Sequence, residues 1–516
     1  MKAILVLMCI TSMFSALSAQ TPPEWTWATN GGGTSLDRGE AIVQDGEGNT
    51  YVTGWFRNSI TFADSTLSDN AGDNAFIVKY SPAGALIWLR AAAGGIAMGI
   101  GVDNFGNVLI GGYFNGTGTF GDQVLTSSLT DIFVAKMDQA GNWLWAVQGG
   151  GTGHDYCKGL TIDGLGKAYI VGEFRNTATF GSHSITSAGS TDIVVARVNA
   201  DGEWAWDIRG GGSSEDLASG IAVRNGYCYI SGNTYGGSFG STQLSFTTNT
   251  YTLAGRITVN GSWIWASRAG GTHSNHGNAI CVDNQGNSYV TGRFNGTASF
   301  SGSQVTIGGS YSNTYIAACS PMGLWYAVST AGGSGLMEGL AITVDNYGNC
   351  YLAGYYQYNA TLGDISLPNA TTRDVFIAKL SDSGQWEWAS RAGGNAEDKA
   401  QGIVLDDNGH CYITGYCYGT ASFGDFQVVG YGNDDVFIAK HGGVPIYLAA
   451  PELLIENLGS AVRISWDPVP GATYYRIFAM NEPCPDDWGD PIGQTSDLYF
   501  DDPVDGKRFY RVTAVN

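Results

Sequence analysis

Four aspartates, Asp37, Asp155, Asp216 and Asp398, occupy matching places in glycine-rich segments of a 516-residue chain, each just ahead of a short apolar stretch. Carboxylates brought together from distant segments can hold a cation, or grip a cationic or polyhydroxylated ligand, because hard oxygen donors suit all three. The competing role is local: aspartate in a turn accepts backbone N–H bonds and locks its own loop. The equivalent places elsewhere hold Gly95, Asn275 and Met337, which a symmetric ion site would not tolerate. A second column, Asn74, Asp131, Asp192, Tyr251, Asn313, Asp374 and Asp435, opens a later stretch, and its repetition reads as loop locking. A pair such as Asp155 and Asp216 is also what a carbohydrate-active hydrolase or lyase sets beside a groove.

Other reactive patterns are missing. No His-Glu-x-x-His occurs, and the six histidines share no ligand spacing, although His154 and His273 fall in equivalent loops. The nine cysteines include no Cys-x-x-Cys pair, which disfavours zinc. Cys228, Cys350 and Cys411 share one position before a strand tyrosine, where a buried thiol packs as a small apolar group. The turn Asp283-Asn-Gln-Gly-Asn287 lacks the spaced acids and distal glutamate of a calcium loop and reads as a tight turn. No cofactor is expected, and calcium is the one ion the acid columns leave open.

What positions these residues is a repeat of about sixty residues. A strand of Tyr-Val-Thr-Gly type recurs, ending at Gly54, Gly112, Gly172, Gly232, Gly292, Gly354 and Gly415. A strand of the type Phe133-Val-Ala-Lys136 follows each, then in four repeats a strand with Trp-x-Trp, as in Trp143-Leu-Trp145, with weaker copies at Leu86-Ile-Trp88 and Leu324-Trp-Tyr326. With an apolar opening strand, such as Ala279-Ile-Cys-Val-Asp283, each unit has four short strands rich in β-branched and aromatic residues. The last unit ends at Lys440 without its tryptophan strand, while Trp25-Thr-Trp-Ala28 stands alone near the start. The second clips the first shut. The expected fold is therefore all-β: a seven-bladed β-propeller of four-stranded blades over 24–440, closed by an N-terminal strand. Its tight turns lie on one face and its long connections on the other, where binding is expected. In Trp-x-Trp both rings share one strand face, so they are expected in blade-to-blade packing rather than in a ligand platform.

Met1–Ala19 combines one lysine, an apolar run and a small-residue exit, as a secretory signal peptide does. Residues 441–450 read as a linker. Over 451–516 the repeat stops, and Val462-Arg-Ile-Ser-Trp466 and Tyr474-Tyr-Arg-Ile-Phe478 alternate like the strands of a β-sandwich. The formal charge of −21 argues against nucleic acid and anionic membrane surfaces. No run outside the leader approaches the roughly 20 apolar residues of a membrane span.

Over 24–440 the motifs Asp283-Asn-Gln-Gly-Asn287, Tyr289-Val-Thr-Gly292 and Asp374-Val-Phe-Ile-Ala-Lys379 resemble the seven-bladed bacterial propeller repeat (SBBP). Arg224-Asn-Gly226 and Leu253-Ala-Gly-Arg256 depart furthest from it. The tail resembles a fibronectin type III domain through Ser465-Trp-Asp-Pro468, Gly471-Ala-Thr-Tyr474 and Arg511-Val-Thr-Ala-Val-Asn516. The resemblance implies an exported propeller without handing over an active site. The expectation is a non-catalytic secreted or cell-surface binding or scaffold protein. Its partner would be an extracellular protein or polysaccharide, met as a monomer without membrane insertion. The alternatives are a secreted carbohydrate-active enzyme using acids at the channel mouth, and a calcium-stabilised surface protein.

Overall fold

Each repeat folds on hydrogen bonds its own sequence supplies. In the unit that opens at Tyr156–Ile162, that strand pairs antiparallel with Ala168–Phe174, then come Asp192–Val198 and Trp204–Gly211. Asp163 makes the first turn tight: its Oδ1 accepts the amides of Leu165 and Lys167, both at 3.0 Å, while Gly166 takes φ +77°. Asp45, Asp103, Asp283, Asp345 and Asp406 lock the same turn elsewhere. Where Arg224 replaces that aspartate, the hairpin shortens to Asn225-Gly226 with φ of 51° and 79°, a two-residue turn of type I′ signature.

The computed structural model describes residues 20–300, 303–306, 311–442, 453–458, 461–468, 474–480, 492–503 and 509–515. The expected leader and nearly all of the expected linker lie outside them. His441, read as linker, is instead the end of strand Phe426–His441. The described residues are all-β, with no helix. Their inner strands pack in a cycle: Asp37–Gln44 touches the inner part of Leu86–Val102, then Tyr156–Ile162, Leu217–Arg224, His276–Val282, Met337–Val344 and Asp398–Leu405, which returns to Asp37–Gln44. The apolar core lies between neighbouring repeats, as where Leu109, Ile132 and Val134 meet Cys157, Leu160 and Ile170. The seven cysteines among the described residues are buried thiols.

The long connections expected as loops are β-hairpin arms. Thr177–Phe180 pairs with His183–Thr186 and also with the glycine end of the preceding outer strand, Ala178 opposite Gly151. Only glycine permits that approach: a Cβ on Gly151 would stand 2.0 Å from the Thr177 carbonyl oxygen. The tryptophans stitch the same junctions. Trp204 Nε1 donates back to the Gln148 carbonyl at 2.9 Å, and Trp206 Nε1 forward to the Val259 carbonyl at 3.0 Å.

The Trp25–Gly32 strand lies antiparallel to Phe426–His441, with Ala28 opposite Ala439 and Gly31 opposite Val436. Its own Gly31 and Gly32 then reach the first repeat's Phe62 and Thr61. Trp25 packs edge-on to Phe423 at 5.1 Å and His441 at 4.7 Å, and Trp27 meets Tyr80 of the first repeat at 5.6 Å.

In the tail, Leu453–Asn457, Val462–Trp466 and Tyr499–Asp502 form one sheet, and Gly493–Thr495, Tyr474–Met480 and Phe509–Val515 another. Ile464 and Trp466 of the first share a core with Tyr475, Ile477 and Val512 of the second.

Trp25→Ala should therefore cost about 3–5 kcal/mol, the range for a large buried aromatic. Leu144→Ala, on an exposed part of an outer strand, should change stability by less than about 0.5 kcal/mol. Thermal and denaturant unfolding of the two variants measures the contrast.

Candidate functional site

The four aspartates singled out by the sequence are fully buried. The amides of Gly33, Gly151, Gly212 and Gly394 donate to Oδ2 of Asp37, Asp155, Asp216 and Asp398 at 2.7–2.8 Å. Arg57, Arg175 and Tyr235 amides serve Oδ1 of the first three at 3.1–3.2 Å. Burial raises all four carboxyls, Asp37, Asp155 and Asp398 to about 7. Behind the wall of the channel they hold the loops from which the inner strands start, and they do not line the cavity.

Three residues further on, each inner strand carries a β-bulge. The ladder slips between Gly39 and Ala41, Ala97 and Gly99, Ala218 and Gly220, Gly277 and Ala279, Gly339 and Ala341, and Ala400 and Gly402; in the Tyr156–Ile162 strand the unpaired residue is Lys158. A bulge leaves one residue unpaired and re-aims its side chain. Those residues, Glu40, Met98, Lys158, Ser219, Asn278, Leu340 and Gln401, line a central cavity of about 400 Å³. The two positions after each bulge are nearly uniform: a small Ala or Gly, then Ile or Leu. The bulge position differs in every repeat, as does the position two before it, which reads Arg38, Ile96, Tyr156, Leu217, His276, Glu338 and Lys399.

Glu40 is half-buried and accepts from Trp55 Nε1 at 3.0 Å and Gln401 Nε2 at 3.3 Å. Burial pushes its carboxyl up to about 7, against the pull of those bonds and of Arg38 and Lys158. Asn278 is held by Glu338 Oε1 at 2.9 Å, and the same carboxylate accepts from Tyr355 Oη at 2.6 Å. On the long-connection side of this ring, cations lie across paired aromatic rings. Arg38 sits 4.3 Å from Tyr416 and 5.6 Å from Trp55, and its Nε donates to Asp434 at 2.8 Å. Lys158 lies 4.6 Å from Tyr156 and 5.5 Å from Tyr113, with Glu173 at 3.6 Å. Lys399 is 5.0 Å from Tyr355 and 5.4 Å from Tyr416. Aromatic faces fix cations in this way, so the mouth presents oriented charges of both signs.

Sequence reasoning passed over Glu40, Lys158, Asn278 and Gln401. The available signal was the column three residues after the aspartates, where chemical type changes from repeat to repeat. Ser238, set in Gly236-Gly-Ser-Phe-Gly240, resembles a nucleophile elbow only in sequence; it lies on the arm strand Gly237–Phe239, with no helix after it, and bonds Gln243.

One exposed residue on an arm is strained. Tyr358 has φ +62° where equivalent places hold Asn58, Gly116, Asn176, Gly236, Gly296 and Gly419, residues that adopt the left-handed region readily.

Repeated four-stranded units packed in a cycle about a channel define a β-propeller repeat protein. No family model matches the chain. It is 26% identical over 507 residues to an uncharacterized WD repeat-containing protein of Acanthamoeba polyphaga mimivirus; the match covers 75% of this chain and 36% of that one, so the chain spans about a third of that relative's length. Among solved structures, a puromycin hydrolase mutant aligns with 84% of this chain and 59% of its own at 11% identity and a TM-score of 0.42. A Synechocystis apocarotenoid oxygenase mutant aligns with 83% of this chain and 95% of its own at 10% identity and a TM-score of 0.38.

Two outcomes are expected. Trp55 fluorescence, isolated by difference against Trp55→Phe, should titrate with a midpoint near pH 7, and Glu40→Gln should abolish that transition. Tyr358→Asn should raise unfolding stability by about 1 kcal/mol by relieving the left-handed backbone, read from denaturant midpoints.

Proposed function

We propose that this chain is a seven-bladed propeller of the SBBP type with a fibronectin type III-like tail, exported by its leader, and that it acts as a non-catalytic binding or scaffold protein at or outside the cell surface. The pairing of Trp25–Gly32 with Phe426–His441 and the cycle of inner strands support the count and the closure. The core shared by the two small tail sheets supports the sandwich.

One observation carries the binding role: chemical type changes in every repeat at two inner-strand positions, the bulge residue that enters the channel and the residue two before it, which supplies Arg38 and Lys399 at the mouth. Packing dictates the small residue and the Ile or Leu that follow each bulge, so these two rings are free to be selected for a ligand. Glu40, Lys158, Asn278 and Gln401 offer a carboxyl, an ammonium and two amides around one opening. That set suits a small polar group, such as the end of an extracellular polysaccharide or peptide, entering from the long-connection face. The oriented cations at the mouth would align it before it reaches the ring. The four buried aspartates serve this site through the loops they lock.

A catalytic reading draws on Glu40 alone, because a carboxyl that is protonated near neutrality can act as a general acid. Array binding decides between them. The full chain should bind a subset of glycans or peptides on arrays, and Glu40→Gln or Lys158→Ala should weaken retention by at least about tenfold, roughly 1.4 kcal/mol. Chain-shortened products in the supernatant would favour the enzyme, and binding that neither variant changes would move the site out of the channel.

A further inference from the structure

The two aspartate columns meet between repeats, and they do so all or none. The residue that opens each third strand lies against the one ahead of the next repeat's inner strand. Around the ring this brings together Asp131 and Asp155, Asp192 and Asp216, Asp374 and Asp398, and Asp435 and Asp37. The other junctions place Asn74 beside Gly94 and Gly95, Tyr251 beside Asn275, and Asn313 beside the loop that leads to Met337. An aspartate never faces a neutral partner. Two carboxylates packed together away from water repel, so loop locks acting singly would avoid doubling up. Here every one is doubled.

The geometry shows what each pair lacks. Oδ1 of Asp131, Asp192, Asp374 and Asp435, the third-strand member of each pair, is buried and has no hydrogen-bond partner, and Oδ1 of the inner-strand Asp398 shares that state. In the first three pairs the third-strand Oδ1 stands with Oδ2 of the inner-strand aspartate around the space that a glycine leaves open. The position of an added Cβ on Gly211 would be 2.9 Å from both Asp192 Oδ1 and Asp216 Oδ2, and on Gly393 2.9 Å from both Asp374 Oδ1 and Asp398 Oδ2. On Gly150 the distances are 2.5 Å to Asp131 and 2.9 Å to Asp155. In two pairs the amide that bonds the inner-strand carboxyl also lies beside the facing one: Gly151 bonds Asp155 next to Asp131, and Gly33 bonds Asp37 next to Asp435. Acceptors set side by side around one donor are short of one hydrogen.

We propose that each inter-repeat aspartate pair is a proton-binding site, one carboxylic acid donating to the facing carboxylate, so that shared protons clasp neighbouring repeats together. Raising the pH breaks the O–H bond, delivers the proton to solvent base, and leaves two carboxylates face to face. Burial already lifts Asp37, Asp155 and Asp398 to about 7 and Asp131 and Asp435 to about 6. Neighbouring charges grade the pairs. Arg209 approaches Asp192 Oδ2 at 3.4 Å and Arg391 bonds Asp374, so those pairs carry a partial counter-charge, with Glu215 beside Asp216 and Cys417 and Glu397 beside Asp398. Gln148 replaces the arginine near Asp131, and His154 bonds the Oγ1 of the adjacent Thr130 at 3.0 Å. Beside Asp37 and Asp435, Arg38 is spent on Asp434 and Arg57 on Asp73.

A carboxyl raised above its unfolded value of 3.8 stabilises the fold fully below that value and loses the contribution as pH climbs through about 7. The melting temperature of the full chain should therefore fall between about pH 5 and about pH 8. Asp131→Asn, whose amide supplies the missing hydrogen at every pH, should flatten that slope and melt above wild type at the alkaline end. The infrared carboxylic-acid stretch of wild type at neutral pH should be weaker in that variant. A variant destabilised equally at both ends would reduce the pairs to ordinary loop locks. Should the variant fail to fold, an acid stretch absent from wild type at neutral pH overturns the proposal by itself. Calcium raising, and chelator lowering, the alkaline melting temperature would put a metal where the proton is proposed.

Discussion

The antiparallel pairing of Trp25–Gly32 with Phe426–His441 is the contact on which the other junctions depend. A stack of four-stranded repeats that stayed linear would expose an unpaired edge and half of an apolar interface at each end, an invitation to aggregation. Joining the ends removes both. The junctions then become equivalent: glycine ends of one outer strand lie on the arm of the next repeat, and tryptophans donate in both directions around the ring. The Trp25 strand enters this pattern as an ordinary outer strand, with Trp27 reaching the first repeat's outer turn.

Closure also creates a space, the channel and its mouth, in which the repeats can differ without penalty. Side chains between repeats must interlock, and side chains at the turns must satisfy amides, so both classes are nearly invariant around the ring. The channel is bounded by all the inner strands and filled by none. Each bulge gives up a regular ladder pairing in order to turn one residue into that space, and the residue can be a glutamate in one repeat and a leucine in another. Symmetry in the wall is what frees the lining to be asymmetric.

The strands, the tight turns and the closing role of Trp25–Ala28 were legible because each follows from local rules: alternation, Asp-Gly-Asn turn chemistry, and a repeat lacking its last member. Two features were not. Arms such as Thr177–Phe180 are short and threonine-rich, and they pair mainly with glycines of the preceding repeat, so no local signal separates them from loops. The bulge residues are hidden by the device that makes them useful: an extra residue shifts the period of two, and Glu40 then reads as a polar position on an amphipathic strand. For the aspartates, spacing placed them correctly at the inner-strand entrances. It could not say that backbone amides were already directed at them, because that depends on glycines folding the loop back.

The closing strand also orders events in time. Thr26 and its partner Lys440 are 414 residues apart in the chain. The entropic charge for joining such distant segments grows only logarithmically, adding about 2 kcal/mol or less over a contact within one repeat. The delay is the larger matter, since synthesis proceeds at about 5–20 residues per second. Trp25 and Trp27 emerge first and find their partners last, so for tens of seconds two tryptophans on a β-prone segment have nowhere to bury. A nascent ring of this design needs a holder for its first strand until its last one arrives.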